Sequence, residues 1–248
     1  MLRHAVKKIA PAKAIDLLRK WDYYYRLFNF ITDSPVRECP ICQYKGRFRA
    51  YLSGEPQFES NCPSCESLKR HRLFWLWFQS NHSEIKEPVL HFAPEPILEA
   101  RFRSIYGDYK TADLFSEADL KLNIENIEVS SKSVKTIICN HVLEHVANDL
   151  VAMKELSRIL CDDGILICSV PIIEGWNETY ENAAMITEVE RELHFGQKDH
   201  LRFYGNDFRQ RLKEAGFSKI KEITANGIDS VRYGLQRGEK FFICSKVC

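Results

Sequence analysis

The stretch from Val134 to Pro171, VKTIICNHVLEHVANDLVAMKELSRILCDDGILICSVP, limits the possible folds more than any other part of this 248-residue chain. It opens on a β-branched apolar run, Val134 to Cys139, with the character of a strand buried on both faces. Asn148-Asp149 can cap a helix, and Leu150, Met153, Leu156 and Leu160 then recur at helical spacing. Asp162-Asp163-Gly164 predicts the helix stop, with Gly164 able to take a left-handed backbone. Ile165 to Val170 is a second apolar run, closed by Pro171. Two buried strands joined by a helix make a right-handed crossover in a parallel sheet. Ligands of such sheets sit beyond the carboxyl ends of the strands. Asn140, His141 and the residues after Pro171 are therefore the first candidates for a site.

The cysteines carry a second signal. Cys39-Pro-Ile-Cys42 and Cys62-Pro-Ser-Cys65 are two Cys-x-x-Cys pairs with 19 residues between them, the spacing of a four-cysteine zinc site. Soft thiolates at the corners of a tetrahedron suit Zn²⁺, and four sulfurs leave no open position, so the ion is expected to be structural. A redox dithiol explains either pair but not both. Gly46 is expected to supply the permissive turn, Arg47 to Leu52 a strand and Ser53-Gly54-Glu55-Pro56 a hairpin turn. Lys45, Arg47 and Arg49 can offset thiolate charge. Cys139, Cys161, Cys168, Cys244 and Cys248 are expected mostly as small core hydrophobes. An odd cysteine count and no apolar signal core point to reduced thiols and a cytoplasmic location.

Composition removes other classes. A formal net charge of +1 gives no basic surplus to hold nucleic acid. The longest evident apolar run, Leu73 to Phe78, is far too short to span a bilayer. In residues 1–34, Ile15, Leu18, Trp21, Tyr25 and Phe28 predict an amphipathic helix beside the basic Arg3, Lys7, Lys8, Lys13, Arg19 and Lys20. It is expected to pack on the body with a wet basic face; an anionic partner, a membrane surface or a presequence are the other readings. A further helix is predicted within 66–86, where Arg70, His71 and Arg72 can meet an anionic ligand, cover the thiolates or face water.

The run from Cys139 to Pro171 also resembles the second half of class I methyltransferases that use S-adenosylmethionine. "L-H-x-A-P-E" at residues 90–95 and "F-G-Q-x-D-H-x-R-x-Y-G" at 195–205 resemble a type 11-like subgroup with an N-terminal four-cysteine zinc ribbon. The resemblance spans roughly residues 36–220. It implies an α/β fold: a Rossmann-like seven-stranded sheet with its last strand antiparallel, preceded by an N-terminal helix and a small zinc ribbon. It implies S-adenosylmethionine held by Phe92, Ala93, Pro94 and Glu95 after the first strand, where a Pro-Glu turn stands in for the usual Gly-rich loop. Asp113 and Leu114 follow the second strand, with Asp113 about 20 residues on, where a carboxylate can accept the ribose diol. Asn123 and Ile124 close a short third strand, Leu120 to Ile124, toward the adenine; Asn140 and His141 border the methionine part.

Residues 172–205 form a long insertion at the strand ends, where a substrate lid belongs. Trp176, Tyr180, His194, Arg202 and Tyr204 are its candidate acceptor-binding residues; His200 is the first candidate base and His141 the second. The rival is a self-contained staple, Asp199 to Arg202 and His200 to backbone. The division expected is 1–34 helix, 35–86 ribbon and connecting helix, and 87–248 catalytic domain with the lid. The leading function is methyl transfer to a small polar acceptor, a hydroxyl of a sugar or related metabolite. The alternatives are a zinc-ribbon RNA methyltransferase and a non-catalytic binding module, the latter motivated by the missing glycines.

Overall fold

The computed structural model describes residues 35–51 and 57–246, with Lys20, Trp21 and Tyr24 besides. The predicted N-terminal helix falls almost wholly outside these residues, as do the Ser53–Pro56 turn and Cys248.

In chain order the elements are β1 (Arg37–Glu38), β2 (Lys45–Gly46), β3 (Arg49–Tyr51), β4 (Gln57–Asn61), α1 (Lys69–Asn81), β5 (Val89–Phe92), α2 (Pro96–Ile105), β6 (Tyr109–Asp113), β7 (Leu120–Lys121), β8 (Val134–Asn140), α3 (Asp149–Ile159), β9 (Leu160–Ser169), β10 (Tyr180–Glu181), α4 (Glu188–Phe195), β11 (Arg202–Phe203), α5 (Phe208–Glu214), β12 (Lys219–Thr224), α6 (Gly227–Arg232) and β13 (Lys240–Ser245). Seven strands form one sheet in the order β12-β13-β9-β8-β5-β6-β7. β5 to β9 pair in parallel, whereas β13 lies antiparallel to both β9 and β12, as expected. The order reverses at β5, which has β6 on one side and β8 on the other, so the crossovers diverge and open a cleft above the ends of β5 and β8.

Both faces of the sheet are covered. Ile137 and Ile138 are neighbours on β8, both fully buried, and pack into opposite cores: Ile137 with Met153 and Leu156 of α3, Ile138 with Phe74 of α1 and Phe102 of α2. This two-sided burial is why β8 is apolar without alternation. Asn148 caps α3, its Oδ1 accepting the Val151 N–H at 3.1 Å. Gly164 does not stop that helix. The chain turns extended at Leu160, and Gly164 sits inside β9 without a left-handed φ. A Cβ there would lie 2.8 Å from the Lys135 carbonyl oxygen, so the glycine serves a close backbone approach.

The predicted third strand ends early, at Lys121, because Asn123 starts a turn: its carbonyl accepts the Asn126 N–H and its Oδ1 the Glu125 N–H, each at 2.9 Å. The 172–205 insertion is folded rather than irregular. β10 pairs with β11, and α4 runs between Thr187, whose side chain accepts the Glu190 N–H, and Gly196 at φ 77°. Helix α6, capped by Asn226, has no counterpart in the sequence reading.

The ribbon is two antiparallel pairs, β1-β2 and β3-β4. Arg72 of α1 ties it to the loop that follows α6. Its buried guanidinium donates to the carbonyls of Ser60 and Ser67 in the ribbon and of Tyr233 and Gly234 beyond α6, and lies 4.5 Å over the Phe48 ring. Of the three residues expected to meet an anion, Arg72 therefore belongs to the ribbon.

Candidate functional site

The four ribbon cysteines converge, each offering a sulfur within 4.8 Å of the others. Cys39 Sγ lies 3.6 Å from Cys65 Sγ, and Cys42 Sγ 3.7 Å from Cys62 Sγ. A tetrahedron with Zn–S bonds near 2.3 Å has edges of about 3.8 Å. The two knuckles repeat one backbone pattern: Gln43 N–H to Cys39 O, Glu66 N–H to Cys62 O, Cys39 N–H to Tyr44 O, Cys62 N–H to Ser67 O. The left-handed turn falls on Gln43 (φ 65°) and Glu66 (φ 58°), not on Gly46 as expected. Gly46 lies in β2, with the Tyr44 ring packed where a side chain would go.

At the end of β5, Ala93 turns the chain left-handed (φ 44°) and Glu95 precedes α2, with Pro96 in its first turn. The Glu95 carboxylate, 12% exposed, lies 3.7 Å from His71 Nε2 and 3.4 Å from His91 Nε2. Burial pushes its pKa up, but contact with His91 and the electrostatic pull of the nearby His71, His91 and Arg70 outweigh this and hold it at about 2. Burial drives the His71 pKa down to about 4 against the pull of Glu95. Its Nδ1 accepts the Leu68 N–H at 3.2 Å, which requires the neutral ring. Behind them His91 Nδ1 meets Tyr109 Oη at 2.8 Å.

At the end of β8, His141 also adopts a left-handed backbone (φ 53°), and its Nδ1 lies 3.1 Å from Glu144 Oε1. The Glu144 side chain is 1% exposed. Burial raises its pKa, and the bond from His141 more than reverses this, so the carboxyl stays ionised. His141 Nε2 and Glu144 Oε2 are buried without a hydrogen-bond partner, and His71 Nε2 and His91 Nε2 meet Glu95 only in the ion contacts above, beyond good hydrogen-bond distance. Orphans of this kind mark a site that a ligand or a moving proton completes. A cavity of about 10 Å³, lined by residues including Arg70, His71, Glu95, Asn140, Ser169 and Lys240, lies beside His71 and Glu95 and holds no more than a water.

The other residues expected to hold the cofactor lie at or just after the ends of β5, β6, β7 and β8. Phe92 is buried in β5, and Ala93 N–H bonds to Ala112 O at the end of β6. Asp113 Oδ1 accepts the Phe115 and Ser116 N–H groups, each at 2.7 Å, so this oxygen shapes the turn. Leu114 is exposed beside it. Asn123 is exposed with its Oδ1 in the turn, and Ile124 is buried. Asn140 accepts a bond from Ser169 Oγ at 3.0 Å.

The insertion divides in two. Trp176, Tyr180 and His194 come together: Tyr180 Oη lies 2.6 Å from His194 Nδ1, the two rings stack, and Trp176 meets Tyr180 edge-on. Arg202 and Tyr204, by contrast, do not face an acceptor. Arg202 is 3% exposed and its guanidinium is consumed by the carbonyls of Leu143, Val146 and Ala147 and by Glu181. Tyr204 is fully buried and donates to Leu143 O and Asp149. Both hold the turn that follows β8. Asp199 pairs with His145, not with Arg202. His200 is buried, with Nδ1 3.1 Å from Phe195 O. Only the three-residue spacing of Glu144 from His141 signals in the sequence that this carboxylate orients the ring.

The model of a family described as "Methyltransferase domain" matches residues 93–222, more than half of the chain. The chain belongs to this methyltransferase family. It is a class I enzyme dependent on S-adenosylmethionine, with the seven-stranded Rossmann-like sheet of that class. No curated protein matches the methyltransferase in sequence. Among solved structures it is similar to the YcgJ protein of Bacillus subtilis (11% identity, 71% of this chain and 99% of that one, TM-score 0.47). It is also similar to phosphoethanolamine N-methyltransferase 2 of Haemonchus contortus, solved with phosphomonomethylethanolamine and S-adenosylhomocysteine (12% identity, 77% and 55%, TM-score 0.49). A third is an S-adenosylmethionine-dependent methyltransferase of Mesorhizobium loti (10% identity, 69% and 96%, TM-score 0.47). Among the described residues of the methyltransferase, no helix is long and apolar enough to cross a membrane.

Proposed function

We propose that this methyltransferase acts on a hydroxyl of a small polar acceptor, a sugar or related metabolite, with His141 as the base. The observation that carries this reading is the His141–Glu144 dyad at the mouth of the cleft. A carboxylate only accepts, so His141 Nδ1 carries the proton of the 3.1 Å bond, and in the neutral ring that a base requires Nε2 keeps its lone pair. Nε2 has no partner in the protein, as a group waiting for an acceptor's proton should not. His200, the first candidate, is buried with Nδ1 on a carbonyl, and the base role passes to His141. The bound cofactor supplies a methyl group on a sulfonium that is already an activated leaving group. The chain's own work is to align the acceptor and remove its proton. Trp176, Tyr180 and His194 form the wall of the insertion that we assign to the acceptor.

Ala93, Pro94 and Glu95, with Asp113, Leu114, Asn123, Ile124 and Asn140, are assigned to the cofactor. Asp113→Ala should weaken S-adenosylmethionine binding by about 1.5–3 kcal/mol, the range for hydrogen bonds to a charged group. Calorimetry reads the affinity and a thermal melt checks the fold; unchanged affinity would move the ribose site away from Asp113. The cysteine geometry supports a structural Zn²⁺ on Cys39, Cys42, Cys62 and Cys65, in keeping with a reducing, cytoplasmic setting. The units we assign are 1–34, the ribbon and helix 35–86, and the catalytic domain 87–248 with its lid 172–205.

The test is transfer of a labelled methyl group from the cofactor into fractionated cell extract by the full, zinc-loaded chain. Label is expected in the small-molecule fraction, in a base-stable ether. Label in RNA would replace this acceptor class, and label in no fraction would favour the binding-module reading.

A further inference from the structure

We propose that Glu144, His145 and His200 form a second metal site, made for a divalent transition ion held by two imidazoles and one carboxylate. A donor atom of each lies within 4.8 Å of the others. Bonds near 2.1 Å require these donors to close by on the order of 1 Å, which the half-buried His145 allows.

Three independent features fit an ion here. The first is the carboxylate. Glu144 is fully buried; Oε1 takes the bond from His141, and Oε2 has no partner in the protein. An ionised oxygen buried without a donor is costly, and a cation removes that cost.

The second is the tautomer of both rings. His200 Nδ1 lies 3.1 Å from the Phe195 carbonyl oxygen. His145 Nδ1 lies 3.3 Å from both the Asp199 carbonyl oxygen and the Asp199 carboxylate. These oxygens only accept, so each Nδ1 carries a proton, and in the neutral ring that binds a metal each Nε2 keeps a lone pair. Metal-binding histidines are oriented in this way, with the far ring nitrogen donating to a carbonyl or carboxylate.

The third is rigidity. The two rings meet edge-to-face at 4.7 Å, and Leu201 N–H bonds to Glu144 O at 2.9 Å, so the loop carrying His200 is already fastened to the turn carrying the other two. Two imidazoles with one carboxylate select zinc, iron(II) or manganese(II) over calcium or magnesium, which prefer all-oxygen shells. Three protein ligands also leave coordination positions open, unlike the four sulfurs of the ribbon. The inference does not depend on the acceptor or on which residue is the base.

The test uses the full chain with zinc in its cysteine site, freed of loosely bound ions and then titrated with Co²⁺ as the probe. Elemental analysis after gel filtration should find one zinc and one cobalt per chain, with visible bands typical of nitrogen and oxygen ligands and a higher melting temperature. His145→Ala, at a half-buried position that leaves the core intact, should keep the zinc and lose the cobalt; His200→Ala should do the same if it folds. Wild-type protein that retains no cobalt would overturn the site. So would cobalt with thiolate charge-transfer bands, or cobalt retained in full by His145→Ala.

Discussion

His141→Asn is expected to lower turnover by about 10²–10⁴-fold, the contribution of one positioned base, with cofactor affinity nearly unchanged. Asparagine is the fitting replacement because His141 sits at φ 53°, a left-handed conformation that asparagine tolerates better than most residues. The variant therefore removes the proton acceptor without straining the turn after β8. Glu144→Gln should give a partial loss and change the pH profile of turnover, since the amide still contacts the imidazole but no longer stabilises its charge. His200→Asn is the control that separates the candidates. If it abolishes turnover while His141→Asn retains it, the base belongs to the insertion and the dyad is scaffolding.

Removing zinc is expected to have the largest effect on stability. Structural zinc in small cysteine sites contributes about 10–16 kcal/mol of apparent binding energy, of the same order as the whole stability of a domain, about 5–15 kcal/mol. Chelation, or Cys62→Ser at a fully buried ligand, should release the metal and lower the melting temperature sharply. The loss should reach the sheet as well as the ribbon, because Arg72 bonds to carbonyls on both sides of their junction. Calorimetric scans with and without chelator read this directly. A chain that loses metal and turnover but melts at the same temperature would show that the ion is not structural.

The parts of the fold legible in the sequence are those set by local pattern. β8, α3 and β9 stand out because two-sided burial demands unbroken apolar runs and because Asn148 is a cap residue in the right place. The paired cysteines likewise fix their own convergence. What escaped depends on neighbours distant in sequence. Gly164 looks like a helix stop, yet its reason is the Lys135 carbonyl on the adjacent strand. The knuckle turns fall on Gln43 and Glu66, residues with no intrinsic turn signature, because the sulfur positions dictate the backbone.

The candidate site was legible in outline only. Arg202 and Tyr204 have the side chains of a binding pocket, but orphan carbonyls at Leu143, Val146 and Ala147 claim them, and no local pattern reveals that demand. The His71–Glu95–His91 contact joins a helix, a loop and a strand, so only the folded chain brings it together.

Arg72 and His71 are adjacent on α1 and look to opposite ends of the molecule's chemistry. One grips ribbon carbonyls; the other lies against the Glu95 carboxylate in the turn after β5. A helix passes rotation from one residue to the next with little slack. If the ribbon holds its proposed zinc and Glu95 borders the proposed cofactor, loosening of the ribbon should be felt one residue along, at His71, and cofactor affinity should report zinc occupancy.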